Sequence, residues 1–452
     1  MKVDTALSIF NFQLSTKLKS FNKMDQSFES PSDRRDFLRK SAALALAFPM
    51  LGSEFQPGLT FESPESMETE KSIIGLYGPW AVSRQKGLPG LSFRNREWTD
   101  LKKWKAAAKQ EAERCIAAPG RDYIPAVKVE KKYEYDGLSV EEISWQLPYG
   151  RPTKAVVLKP ANATGKLPGI VGLHDHGGNK YFGLRKITKV SDDQHPMMKE
   201  HQEHYYEGAA WANELARKGY LVLVHDTFTF GSRRVLYGDM SPIPWGEIKT
   251  EGKSDANPEL RENIEEYNQW AGYHEHIMAK SLFCAGTTWP GVFLSEDQVA
   301  LNILAARSDV DAKNLGCAGL SGGGLRTVFL AGMDERIKCC VCVGFMSTWK
   351  DFALNKSYTH TWMTYVPVLP NSLDFPEILG LRVPLPTMVL NDNQDSLYTL
   401  PEMKAADKIL KDVFVKAGAA DKYDCRFYEG PHKFDLEMQK DAFGWFEKWL
   451  KK

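Results

Sequence analysis

One turn constrains this chain more than any other stretch. Gly319-Leu320-Ser321-Gly322-Gly323 stands between an apolar run, NLGCAGLS at 314–321, and a helix-compatible run that begins at Gly322. Passing from a buried strand into a helix within so few residues leaves no room for a Cβ beside the serine. Glycine is therefore needed on both sides. The serine is held in a strained conformation above the strand end, where a helix N-terminus favours developing negative charge. A G-x-S-x-G string alone also fits a glycine-rich or phosphate-binding turn. Set between a strand and a helix, it marks Ser321 as a candidate nucleophile.

The rest of the chain supplies a sheet for that turn. LSVEEISWQL (138–147) and TKAVVLKP (153–160), separated by Pro148-Tyr149-Gly150, read as an antiparallel pair. LPGIVGLHDHGG follows, with a continuous apolar run at 169–174 of the kind found in strands buried on both faces. Further strands are expected at 220–226, 314–321, 337–345, 386–391 and 423–430. Helices are expected at 208–218, 292–307, from 322, at 401–416 and, after the last strand, up to Leu450. That alternation implies a parallel sheet with right-handed crossovers, an α/β fold. Two aromatic, Pro-containing stretches, 232–290 and 346–385, break the rhythm and read as insertions over the C-terminal edge of the sheet, where open α/β folds bind ligands.

The 58 basic and 58 acidic residues cancel, and no long block of one sign occurs. That argues against nucleic acid or an anionic membrane surface as the main partner. Cys317, Cys339, Cys340, Cys342 and Cys425 lie in apolar runs and read as buried thiols, not as a redox or zinc motif. No cofactor is expected. Residues 56–127 read as an N-terminal extension, with a charged amphipathic helix from Trp98 to Ala117 packed on the main domain at 128–452. Residues 1–55 are set apart as a leader. There, SDRRDFLRKSAALALAFPML (32–51) places Arg34 and Arg35 ahead of a mildly apolar run too short to span a bilayer. It resembles a twin-arginine export signal, which implies transit through that export machinery and a periplasmic or extracellular location. Met1 and Met24 are both possible starts.

A serine hydroxyl needs a base. His432, in Gly430-Pro431-His432 between the last strand and the last helix, has the position expected for it in the order Ser, acid, His. The acid is sought after the strand ending at Asn391, where Asp395 is preferred over Asp392, with Asp351 a distant third. Asp395 lies a full turn beyond the strand end and has room to reach the base. For the tetrahedral oxyanion, one donor is the Gly322 amide, and the other comes from His174-Asp175-His176-Gly177-Gly178, with the His176 and Gly178 amides both open. His174 and His176, or His195, His201 and His204, lack the further ligands of a metal site at recognisable spacing, so no metal is expected.

The turn HDHGG, His225-Asp226 with Phe230-Gly231 and Arg233, the elbow GLSGGG, the acid loop NDNQDSLY and the terminal GPHKFDLEMQKDAFGWFEKWL together resemble the dienelactone-hydrolase and acetyl-xylan-esterase branch of the α/β-hydrolases. The resemblance covers roughly 128–452. It implies an eight-stranded, mostly parallel sheet with helices on both faces, ester hydrolysis without a cofactor, Asp395 as the acid and Asp226 as a structural aspartate. Asp175 and Asp392 depart from it, standing where relatives often have glycine.

A serine-dependent carboxylic ester hydrolase acting through an acyl-enzyme is the expected activity, on acylated carbohydrate or plant-derived esters. A prolyl-oligopeptidase-type peptidase would need a propeller repeat that the chain lacks, and a non-catalytic scaffold would not need a complete Ser, Asp and His set. Among the five tryptophans of the two insertions, Trp289, Trp245 and Trp349 are expected to face the substrate cleft.

Overall fold

The computed structural model describes residues 71–85, 87–256 and 259–451. The Arg34-Arg35 segment and the expected boundary at residue 55 lie outside them. Within them, one nine-stranded sheet carries the chain. Its strands are β1 (Val127–Tyr135), β2 (Leu138–Trp145), β3 (Thr153–Pro160), β4 (Leu167–Gly172), β5 (Leu221–His225), β6 (Val310–Leu320), β7 (Ile337–Val343), β8 (Thr387–Asp392) and β9 (Tyr423–Tyr428), in the spatial order β1-β2-β3-β5-β4-β6-β7-β8-β9. The first three strands pair antiparallel, as do β3 and β5, and every other pairing is parallel. The principal helices are α1 (Leu101–Ile116), α2 (Pro196–Tyr206), α3 (Trp211–Arg217), α4 (Arg261–Cys284), α5 (Trp289–Ala306), α6 (Gly322–Met333), α7 (Phe375–Gly380), α8 (Leu400–Lys416) and α9 (Leu436–Leu450).

The sheet has nine strands where the resemblance implies eight. The added one is β1, VKVEKKYEY, whose residues are almost all exposed. Its lysines and glutamates suit an edge strand that must not recruit another chain, and they hide the period-2 pattern that marks a half-buried strand.

In the central strands successive residues serve opposite faces. Leu221 and Leu223 of β5 join one hydrophobic core with Val171, Phe293 and Phe329; Val222 and Val224 join the other with Ile170, Trp211 and Phe446. Helices α5 and α6 thus cover one face, and α3 and α9 the other. Each fully buried Val, Leu or Phe contributes about 1.5–3 kcal/mol, and both faces are lined with them. Helix α1 starts at Asp100, whose carboxylate accepts the Lys102 and Lys103 amides, and it ends at Ala117 in the left-handed conformation. Its Trp104 is fully buried against Phe93. The last turn is fixed to α5, where the Thr288 hydroxyl donates to the Ile116 carbonyl.

The two insertions fold mainly as α4 and as a series of short turns from Trp349 to α7. All seven cysteines are unpaired, and those of β6 and β7 are buried.

Candidate functional site

Ser321 closes β6 and caps α6 with φ +56° and ψ −118°, a conformation costly for a residue with a side chain. Its N–H donates to the Val343 carbonyl and its carbonyl accepts from Leu325, at 2.9 and 2.8 Å. The flanking glycines are sterically required. A Cβ at Gly319 would sit 2.3 Å from the Leu173 carbonyl oxygen, and one at Gly323 would sit 2.1 Å from the same atom.

His432 lies between β9 and α9, with its Nδ1 2.6 Å from Oδ2 of Asp395. The other Asp395 oxygen accepts the Leu397 amide at 2.9 Å, and the carboxylate is buried. An acceptor at that distance keeps the proton on Nδ1 and leaves Nε2 as the basic nitrogen. Nε2 is itself buried and has no hydrogen-bond partner among the described residues. The ring rests on Gly344, where a Cβ would come within 2.8 Å of the imidazole Cε1.

The other two acids are occupied elsewhere. Asp392 is the last residue of β8 and fully buried; one oxygen accepts the Lys433 amide at 3.1 Å, and the other has no partner. Burial, reinforced by the neighbouring Asp395 charge, pushes its pKa up to about 7. It steadies the backbone after His432 and makes no hydrogen bond to the ring. Asp351 holds Ser347 and Thr399.

The loop after β4 faces the elbow. A Cβ at Gly322 would come 2.8 Å from the backbone nitrogen of His176, so the loop backbone packs directly on the elbow at that residue. Gly322 opens α6, where helix geometry leaves the first N–H groups without an intrahelical acceptor. The Gly178 amide instead donates to Nδ1 of His176 at 3.1 Å. Beneath the loop, the buried carboxylate of Asp175 meets Nε2 of His201 at 3.1 Å and the Tyr206 hydroxyl at 2.5 Å. Lys186 donates to the carbonyls of Asp175 and His176. Burial opposes the Asp175 charge, but His201 and Lys186 outweigh it and hold the carboxyl well below the usual range. Asp175 therefore fills its position with an anchor for the loop. His195 caps α2, His201 serves Asp175 and His204 packs edge-on against Tyr205, so each of these histidines has its own local partner. Asp226 accepts the Leu184 and Ser232 amides, with Gly183 and Gly231 packed against its carboxylate.

Ser321, Gly322, His176, Gly178 and His432 line one pocket of about 300 Å³ at the C-terminal ends of the parallel strands. Leu325, Phe345, Met363 and Leu397 make it apolar, Tyr205 stands at one side, and Thr359, His360, Thr361 and Thr364 form a wall from the second insertion. Burial lowers the His360 pKa to about 4, and its Nε2 lies 3.0 Å from the Leu397 carbonyl. Among the described residues no arginine or lysine lines the pocket. A larger cleft of about 610 Å³ beside Tyr181, Phe182 and Arg234 contains no histidine.

None of the three tryptophans expected in the cleft lines this pocket. Trp289 is 1% exposed, packed edge-on against Phe228 beneath the ammonium of Lys180. Trp349 is buried with Phe352 and Phe375, its indole N–H on the Leu373 carbonyl. Trp245 is 74% exposed on the surface of the first insertion. Large aromatics close cores as readily as they line clefts, and here two of them do the former. Trp289→Ala is accordingly expected to lower stability by about 3–5 kcal/mol and to reduce hydrolysis of small and large esters alike, read from thermal melts and a two-substrate assay.

The threonine-rich wall, and Glu275, whose carboxylate meets the His176 ring at 2.9 Å, carry no motif in the sequence. Thr359-His360-Thr361 is the one local sign of the wall in the sequence. Glu275 sits on α4 among other charged residues and shows nothing distinctive.

No protein-family model matches the chain. A Bacillus subtilis (strain 168) protein named "Putative hydrolase YtaP" is 25% identical over 330 residues, covering 72% of this chain and 92% of that protein. Among solved structures, a Bacteroides fragilis protein described as a "putative acetyl xylan esterase" aligns with a TM-score of 0.57 and 17% identity, over 81% of this chain and 87% of that one. A glucuronoyl esterase from Solibacter usitatus aligns at 0.53 and 13%, over 80% and 97%. A glucuronoyl esterase from Teredinibacter turnerae aligns at 0.53 and 12%, over 92% and 99%. With the mostly parallel sheet, the strand–elbow–helix and the loops gathered at one sheet edge, these likenesses show that the chain has the α/β-hydrolase fold.

Proposed function

We propose that the protein is a serine-dependent carboxylic ester hydrolase that works through an acyl-enzyme on acylated carbohydrate or related plant-derived esters. The observation that carries this reading is the convergence on one small pocket of a strained serine, a carboxylate-bound histidine whose second nitrogen has no partner among the described residues, and the backbone of His176 packed on the elbow at Gly322. Esterases of carbohydrate substrates among the structural neighbours support the substrate class.

In this mechanism Ser321 Oγ attacks the ester carbonyl carbon while Nε2 of His432 takes its proton. The buried Asp395 carboxylate stabilises the imidazolium that forms. The carbonyl oxygen, now an alkoxide, is received by the Gly322 and His176 amides, which the strand and loop hold in place beforehand. Of the two loop amides left open by the sequence, His176 has the better geometry, because the Gly178 amide is already engaged. Collapse of the intermediate breaks the C–O bond, and the imidazolium protonates the departing alkoxide to give the alcohol. Water then repeats the attack on the acyl-serine, with His432 as base, and releases the acid. The apolar floor of Leu325, Phe345, Met363 and Leu397 suits the hydrocarbon part of an acyl group. Steady-state assays on purified protein with acetyl, feruloyl, methyl-uronate and lactone esters test this reading. Hydrolysis of at least one supports it, and absence of hydrolysis across the panel contradicts it.

The reading extends to location. Export of the folded protein through the twin-arginine route, to the periplasm or beyond, rests on Arg34 and Arg35, which such a receptor would read as an address and not as charge alone. Changing both to lysine should retain active protein in the cytoplasm, as measured by fractionation, and unchanged export would contradict the route.

A further inference from the structure

Glu275 of α4 connects two sides of the pocket without lining it. One carboxylate oxygen lies 2.9 Å from Nε2 of His176 and 2.6 Å from the ammonium of Lys180; the other accepts the Trp362 amide at 3.3 Å. The side chains of Glu275 and Lys180 are 6% and 4% exposed. The His176 ring is thereby bonded at both ends, because its Nδ1 accepts the Gly178 amide while its Nε2–H donates to Glu275. Fixing the ring at both ends fixes the loop that carries the His176 backbone amide. A buried ion pair costs solvation and is weak evidence of a stability role. A carboxylate held here by an ammonium, and aimed at an imidazole beside the elbow, suits a precise placement.

We propose that Glu275 is a positioning residue that sets the His176 amide against the Gly322 amide. This rests on the hydrolase reading above, in which those amides receive the oxyanion. Loss of the hydrogen bond should let the loop shift, and a small displacement of a catalytic donor costs on the order of 10–100-fold in rate.

The test uses the full chain with p-nitrophenyl acetate, in a background that removes the buried ammonium so that no unpaired charge is left behind. Glu275→Gln with Lys180→Met keeps an acceptor for His176 and should hold kcat within about threefold of wild type. Glu275→Leu with Lys180→Met removes it and should lower kcat by about 10–100-fold with KM within about twofold. His176→Leu breaks the same bond from the other end and should cost a similar factor, with no further loss when combined with Glu275→Leu. Equal kcat in the two Lys180→Met variants, or a change confined to KM, overturns the positioning role and leaves the hydrolase reading standing. Should the Leu/Met pair not fold, full kcat in His176→Leu overturns it equally. A folded wild type that hydrolyses no ester and takes no fluorophosphonate overturns both.

Discussion

Ser321→Ala should fold like the wild type and lose ester hydrolysis by on the order of 10⁴–10⁶-fold in kcat, the range found when a triad nucleophile is removed. The size of the effect follows from the geometry. The amides of Gly322 and His176, proposed to receive the oxyanion, belong to the backbone and survive the substitution, as does the His432–Asp395 pair. What is lost is the only oxygen at the elbow able to form an acyl-enzyme. Alanine at φ +56° is no worse a fit than serine, so the melting temperature should change little. Circular dichroism melts beside initial-rate assays with p-nitrophenyl acetate check both parts.

Asp395→Asn should lower kcat by on the order of 10⁴-fold, whereas Asp392→Asn should cost less than about threefold. Asparagine at 395 presents an amide where the ring needs an acceptor. Nδ1 then becomes the acceptor, the imidazole proton moves to Nε2, and the ring can no longer take a proton from Ser321. At 392 the amide oxygen can still accept from Lys433, and the ring loses nothing. The second variant should reveal itself in stability instead. A carboxyl whose pKa is about 7 when folded and near 4 when unfolded binds its proton more tightly in the folded chain. Wild-type stability, relative to Asp392→Asn, should therefore fall as pH rises from about 4 to about 7 and then level off. A pH-independent difference in urea midpoints would contradict the buried, uncompensated state of Asp392, and a larger kcat loss at 392 than at 395 would reverse the two roles.

Both acids were visible in NDNQDSLY, and their separation illustrates what a sequence carries. Asp395 could be preferred because a full turn beyond the strand end expected at Asn391 gives the reach to a base above the sheet. The elbow was legible because backbone sterics leave glycine alone able to flank Ser321, and the central strands because burial on both faces demands unbroken apolar runs such as LVLV at 221–224. Strand β1 was obscured by the charges that protect a sheet edge. Trp289 and Trp349 were misplaced because an indole offers the same apolar face to a core and to a cleft, and only the packing decides. Glu275 was beyond reach for a different reason. Its meaning comes from His176, 99 residues away, and from Trp362, 87 residues away. No local pattern encodes such a meeting.

The central claim, that Ser321 is the activated nucleophile of this pocket, is tested most directly by treating the intact protein with a fluorophosphonate and mapping the adduct by peptide mass spectrometry. A phosphonate is captured readily where a serine activated by a general base and oxyanion donors coincide. One adduct per chain is expected, on the peptide containing Ser321, abolished in Ser321→Ala and strongly slowed in His432→Ala. Absence of an adduct, or an adduct on another serine in a protein that still hydrolyses esters, would contradict it.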